Sequence, residues 1–112
     1  MGRSQDNLIP GTLNVLICKA LTWGPLHGYA MSKWILQASE DTLRVEEGVL
    51  YPALHKLERE KWLRAEWGVN DTGRRAKFYS LTPLGKRKLQ AEVARWKRSS
   101  QAVSTVLDTK EA

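Results

Sequence analysis

WLRAEWGVNDTGRRAKFYSLTP, residues 62 to 83, is the stretch that decides the fold. Its flanks, Trp62–Trp67 and Ala76–Leu81, have the apolar and aromatic content of two short strands. The residues between them, 68 to 73, are dense in turn formers, so the two strands are predicted to form a hairpin. Thr82 then supplies a helix N-cap and Pro83 a favoured first helical residue, so a helix begins directly after the hairpin.

The helix after the hairpin is predicted to run from Thr82 to about Leu107. Residues along it recur at spacings of four and three, the heptad pattern that faces a partner helix: Leu89, Val93, Trp96, Ser100, Val103 and Leu107. We therefore expect a dimerisation helix, with contacts from Leu89, Val93, Trp96, Val103 and Leu107. The alternative is that this stripe packs only on its own domain.

Upstream of the hairpin, apolar residues recur at helical spacing in three segments. The predicted helices run from Thr12 to Trp23, from His27 to Glu40 and from Glu46 to Lys61. Between the second and third, Asp41–Val45 alternates and predicts a short strand or an extended turn. Pro52 leaves open whether the third helix becomes regular only around Tyr51 or Pro52.

The order of three helices, hairpin and long helix is that of a winged helix-turn-helix. The predicted fold class is therefore mainly α with a small β-hairpin wing, followed by a long C-terminal dimerisation helix. We expect a polar N-terminal arm at 1–7, the winged-helix domain at 8–81, the dimerisation helix at 82–108 and a frayed tail at 109–112.

Composition favours a nucleic-acid partner. The chain has 112 residues, a formal net charge of +6 and a sequence pI near 9.7, an excess that attracts polyanions. Cys18 is the single cysteine, which excludes an intramolecular disulfide. No apolar stretch approaches the roughly 20 residues that cross a bilayer. We expect a cytoplasmic protein without membrane association.

The third helix and the wing carry the candidate contacts to double-stranded DNA. On the third helix, the polar residues that the apolar stripe leaves outward are Tyr51, His55, Lys56 and Arg59, and a major groove admits one such helix. On the wing, Arg74, Arg75 and Lys77 are candidates for phosphate contacts that add affinity more than specificity. Lys33 on the second helix is a further candidate for a phosphate contact.

Catalysis is not expected. His27 and His55 are the only histidines, and neither a metal-ligand cluster nor a phosphate-binding glycine loop is visible in the sequence. We expect no cofactor, no metal and no catalytic residue. The competing interpretation is a winged helix that acts as a protein-interaction adaptor without binding DNA.

Six motifs resemble the PadR family of transcriptional regulators. They are GTL (11–13), GPLHGY (24–29), EGVLYPALHKLE (47–58), EWG (66–68), GRRAKFY (73–79) and LTPLG (81–85), and the likeness covers residues 8 to about 98. The resemblance implies a homodimeric bacterial winged-helix repressor whose C-terminal helix packs against the partner's helices. The single terminal helix is similar to the short subclass of the family.

The resemblance also carries one departure and one ligand expectation. Val49 stands where family members commonly carry serine or threonine, which removes a hydroxyl that would contact phosphate. Family members often respond to small aromatic molecules near the dimer interface, so Trp96 is a candidate to stack on a planar effector, against the alternative that it packs in the dimer seam. The expected function is a dimeric repressor on a palindromic operator, released by a small aromatic ligand.

Overall fold

The structure is a computed structural model that describes residues 11–110. The predicted arm at 1–7 and the last two residues of the predicted tail lie outside this range. In chain order the elements are α1 (Thr12–Ala20), β1 (Leu26–His27), α2 (Gly28–Ala38), α3 (Glu47–Arg59), β2 (Leu63–Val69), β3 (Arg75–Leu81) and α4 (Pro83–Leu107). The predicted fold class, a winged helix with a long C-terminal helix, is confirmed.

The wing is the β2–β3 hairpin, and its turn is tighter than predicted. Gly68 and Val69 belong to β2, so the turn comprises only residues 70 to 74. The Asn70 side-chain oxygen closes it by accepting hydrogen bonds from the Thr72 and Arg74 backbone amides at 3.0 and 2.9 Å. Gly73 takes φ +82°, a conformation that favours glycine.

A third strand, which sequence patterning did not predict, completes the sheet. The order is β1-β3-β2, all antiparallel, with β2 at one edge. β1 pairs only with Phe78 and Tyr79, in the middle of β3. The sheet is therefore three-stranded at Phe78 and Tyr79 and two-stranded from Lys77 towards the tip of the wing.

The core lies where α1, α2 and α3 meet the base of the sheet. Its fully buried side chains include Ile17 from α1, Met31 and Ile35 from α2 and Leu54 from α3. Tyr79 of β3 is also buried and packs the sheet onto the helices. Burial of this apolar surface is the main favourable term that holds α3 and the wing in a fixed relation.

Several predicted boundaries were wrong. α1 ends at Ala20, because residues 21–23 form a turn instead of the predicted last helical turn. α2 is shorter than predicted at both ends, with His27 as its N-cap. For Asp41–Val45, of the two predicted alternatives the structure shows no strand but a loop that starts with a turn; Asp41 and the preceding Glu40 take positive φ, and Val45 is buried.

α3 is regular from Glu47, so Pro52 lies inside the helix instead of starting it. Proline removes one backbone donor, and the carbonyl that loses its partner is that of Gly48, four residues earlier. Both residues are exposed, so water can satisfy that carbonyl.

α4 is fastened to the domain at its start. The Thr82 hydroxyl accepts from the Gly85 amide at 3.0 Å and lies 2.6 Å from the Lys61 carbonyl oxygen. Gly85 is buried so tightly that a Cβ there would lie 2.2 Å from the carbonyl oxygen of Trp62. Only glycine fits at this contact, and it fixes the direction in which α4 leaves the domain.

Candidate nucleic-acid interface

A groove of about 750 Å³ separates α3 from the wing, and we call it the α3–wing groove. It brings together five of the candidate residues, two from α3 and three from the wing: Tyr51, His55, Arg74, Arg75 and Lys77. Three further tyrosine and tryptophan side chains line the same groove: Tyr29, Trp67 and Tyr79. Three cations and several aromatic rings thus share one concave surface, a combination suited to a polyanion that carries planar bases.

On α3, Tyr51 and His55 differ in how firmly they are held. Tyr51 is half-buried, and its hydroxyl packs against Gly28, where a Cβ would lie only 2.5 Å from the phenol oxygen. Burial, followed by the negative charge of Glu47, raises the pKa of Tyr51. His55 is exposed one turn later. Tyr51 therefore forms the fixed wall of the groove, whereas the imidazole of His55 is free to reach outward.

Two of the predicted α3 contacts, Lys56 and Arg59, do not line the α3–wing groove. Both are exposed near the C-terminal end of α3. The Lys56 ammonium lies 3.0 Å from a carboxylate oxygen of Glu60, one turn on. An exposed pair of this kind contributes little to stability, so Lys56 can leave Glu60 for another anion at low cost.

The wing presents Arg75 on an aromatic platform. The Arg75 guanidinium lies 4.4 Å from the centre of the Trp67 ring, and 59% of the Trp67 surface is exposed. A planar cation stacked on an indole is pre-oriented and still able to donate hydrogen bonds at its edge. Arg74, its neighbour, is exposed at the turn.

Trp67 was missed as a site residue. Its role depends on the strand register, which pairs Trp67 with Lys77 and Val69 with Arg75. That register makes Trp67 and Arg75 diagonal neighbours on one face of the hairpin. The alternation of side chains along the two strands could have indicated this contact, but the strand register follows only when the turn is placed at residues 70 to 74.

Lys77 is the wing cation with a fixed partner. Its ammonium lies 3.3 Å from a Glu58 carboxylate oxygen on α3 and 5.6 Å from the centre of the buried Tyr79 ring. The hydrogen bond to Glu58 raises the pKa of Lys77. Glu58 was not a predicted site residue.

Lys33 borders a second cavity, of about 640 Å³, between α2 and the start of α3. Its ammonium lies 5.8 Å from the centre of the Tyr29 ring, which is 65% exposed. Tyr29 lines both cavities, so Lys33 extends the basic surface beyond the α3–wing groove.

The candidate dimerisation residues divide along α4. Leu89 and Val93 are half-buried, whereas Trp96, Val103 and Leu107 are exposed. A groove of about 560 Å³ lies between Trp96 and Val103 of α4 and the start of α1 at Thr12 and Val15. We call this the α1–α4 groove.

Within residues 11–110, no group of three metal-binding side chains is assembled. Nor does any helix in that range have the length and apolar character that crossing a membrane requires. Cys18 is buried, and burial, followed by the charge of Glu92, raises the pKa of its thiol to about 12. The thiol is therefore protonated and unreactive at neutral pH.

Comparisons with known proteins identify a family and several structural relatives. The profile of the family described as "Transcriptional regulator PadR-like family" matches residues 17–91. A PadR family transcriptional regulator from Eggerthella lenta has a similar structure, with a TM-score of 0.74 and 30% identity over 89% of this chain and 85% of that one. A transcriptional regulator from Clostridium thermocellum shares the fold, with a TM-score of 0.79 and 24% identity over 88% and 96% of the two chains. An uncharacterised Lysinibacillus sphaericus protein is 27% identical over 93% of this chain and 95% of its own length.

Proposed function

This chain belongs to the PadR-like family of transcriptional regulators, and from that premise we propose that it is a homodimeric repressor that binds a palindromic operator in double-stranded DNA. The observation that carries the proposal is the α3–wing groove, where exposed cations and aromatic rings from two elements converge. The family's described role is regulation of transcription, so the proposal includes no enzymatic activity.

In this proposal α3 enters the major groove and the wing grips the flanking backbone. His55, Lys56 and Arg59 project from α3 towards base edges and nearby phosphates. Arg75, held on Trp67, meets a phosphate next to the site. Two copies place their α3 helices in successive major grooves, with half-sites about 10 bp apart.

The dimer forms through α4. The exposed heptad residues Trp96, Val103 and Leu107 supply an apolar seam that a second copy can cover. We propose further that a planar aromatic effector binds in the α1–α4 groove against Trp96 and releases the operator. Quenching of tryptophan fluorescence by a planar aromatic probe, lost in a Trp96→Leu variant, tests this part.

The first test is fluorescence anisotropy with DNA from the chain's own upstream region and a scrambled control, at several salt concentrations. We expect tighter, salt-sensitive binding to the upstream DNA. No binding to either DNA would contradict the proposal and favour a protein-interaction adaptor. Equal binding to both would place the operator elsewhere.

Two classes of variant then separate affinity from specificity. Arg75→Ala is expected to weaken binding to every sequence and to reduce the slope of log K against log salt by about 0.9, because one phosphate contact is lost. His55→Ala is expected to change the relative preference among sequences. Arg98→Ala, on the exposed surface of α4, removes the same charge as the Arg75 variant and serves as its control. Equal losses on every DNA from both Arg75→Ala and His55→Ala would contradict this division of roles.

A further inference from the structure

The wing cations differ in their contacts: Arg74 and Arg75 are exposed, whereas Lys77 forms an ion pair with Glu58 on α3. We propose that Glu58 and Lys77 form a brace that holds the wing at a set angle to α3, so that Lys77 positions the wing for DNA binding instead of contacting phosphate. This inference rests on the proposed function for its consequence in DNA binding. The brace itself is defined by contacts within the chain.

The position of the pair along the hairpin supports this role. β1 pairs with β3 at Tyr79 and Phe78 and goes no further towards the tip. Lys77 is the next residue, and its ammonium meets the Glu58 carboxylate of α3 at 3.3 Å. In the described part of the chain, the pair therefore lies where the sheet narrows from three strands to two, and it ties the narrow part to α3.

The surroundings partly shield the pair from solvent. Lys77 and Tyr79 lie on the same face of β3, and the ammonium lies 5.6 Å from the centre of the buried Tyr79 ring. The side chains of Lys77 and Glu58 are 31% and 35% exposed, against 54% and 43% for the Lys56–Glu60 pair. Partial burial weakens screening by salt, so we expect the Glu58–Lys77 pair to be less sensitive to salt than the Lys56–Glu60 pair.

Sequence separation also distinguishes the two pairs. Lys56 and Glu60 lie one turn apart on the same helix, so their ion pair constrains only α3. Glu58 and Lys77 are 19 residues apart and lie on different elements. Only the second pair can fix the angle between α3 and the wing.

Removal of the Glu58 carboxylate should change DNA affinity in opposite directions under two explanations, one in which Glu58 positions the wing and one in which only its charge matters. A carboxylate close to a DNA-binding groove repels phosphate, so its removal should tighten binding if charge alone matters. If Glu58 holds the wing in position, its removal should weaken binding in spite of the gain in net charge.

The experiment compares Glu58→Gln, Lys77→Gln, the exchanged pair Glu58→Lys with Lys77→Glu, and the control Glu60→Gln. The control makes the same charge change on α3 without touching the wing. We expect both single brace variants to weaken binding by about twofold or more, the low end of the coupling between residues in contact. The exchanged pair should recover most of the loss, and the control should bind at least as well as the wild type.

The salt dependence gives an independent readout. Lys77→Gln should leave the slope of log K against log salt unchanged, whereas loss of a phosphate contact lowers it by about 0.9. Tighter binding by Glu58→Gln, or a reduced slope for Lys77→Gln, would overturn the brace.

A measurement without DNA keeps this inference separable from the proposed function. Hydrogen exchange at the hairpin amides of residues 70–77 should accelerate in Glu58→Gln and Lys77→Gln, recover in the exchanged pair and stay unchanged in Glu60→Gln. Unchanged exchange in both single variants would overturn the brace. If the wild type binds no DNA, the proposed function fails, and the exchange rates alone decide whether the brace exists.

Discussion

The two halves of α4 form one continuous helix, yet they lie in different environments. Near its start, Gly85 is buried and Leu89 and Val93 are half-buried against the rest of the chain. Every described residue from 101 onward is exposed, including Val103 at 56% and Leu107 at 76%. The comparison teaches that one heptad pattern can have two outcomes: its first part packs on its own domain, and its second part leaves apolar side chains uncovered within the described chain.

The largest expected effect comes from Gly85→Ala, which should disrupt the packing of the first half of α4 on its own domain. A Cβ at this position would lie 2.2 Å from the backbone oxygen of Trp62, and neither group can move without displacing α4 or β2. We expect a loss of about 3 kcal/mol or more in the free energy of unfolding, measured by urea denaturation. Gly48→Ala is the control, because a Cβ there meets nothing within 4 Å and alanine favours a helix. Similar stabilities for the two variants would contradict the close contact at Gly85.

A charge among the exposed heptad residues of the second half of α4 should disrupt the proposed dimer contact. Val103→Glu is expected to yield monomers by light scattering at concentrations where the wild type is a dimer, because a carboxylate in an apolar seam loses its hydration. Gln101→Glu adds the same charge to an exposed residue outside the seam and should stay dimeric. A Val103→Glu variant that remains dimeric would place the interface elsewhere, and the exposed end of α4 would then need another explanation.

The thiol of Cys18 offers a milder probe of the first half. Burial and the charge of Glu92 on α4 raise the pKa of this thiol from 9.0 to about 12. Since the folded state holds the proton more tightly, the stability linked to this group is complete below pH 9 and is lost as the pH rises towards 12. Above pH 9, the wild type should lose stability more steeply than Cys18→Ala in urea titrations. Equal slopes would show that folding does not raise the pKa of this thiol.

Local signals explain what the sequence predicted well. Thr82-Pro83 marks the start of α4, because a cap and a first-turn proline act through neighbouring backbone alone. The hairpin and the apolar faces of the helices likewise follow from turn residues and periodicity. The resemblance to the PadR family rested on such ordered motifs, and the family match confirmed it.

Features that depend on distant partners were not predicted. β1 has two residues, too few for any pattern, and exists because β3 offers it a partner. The start of α3 was left open, since Pro52 argues locally against a helix that the buried Leu50 and Leu54 favour. In the site, Trp67 and Glu58 gained their roles from strand register and tertiary packing. The roles assigned to the α3 and wing residues in DNA binding stay predictions until the variants above are measured.

The sheet order has a consequence for how the free protein behaves at high concentration. β2 lies at one edge, and the outer part of β3 extends beyond its pairing with β1, so the hairpin carries backbone groups of the kind that recruit strands from other molecules. Both strands contain charged residues, namely Arg64 and Glu66 in β2 and Arg75 and Lys77 in β3. These charges, among them Arg75 and Lys77 with their proposed roles in the wing, act against edge-to-edge aggregation, so variants that neutralise them should be less soluble.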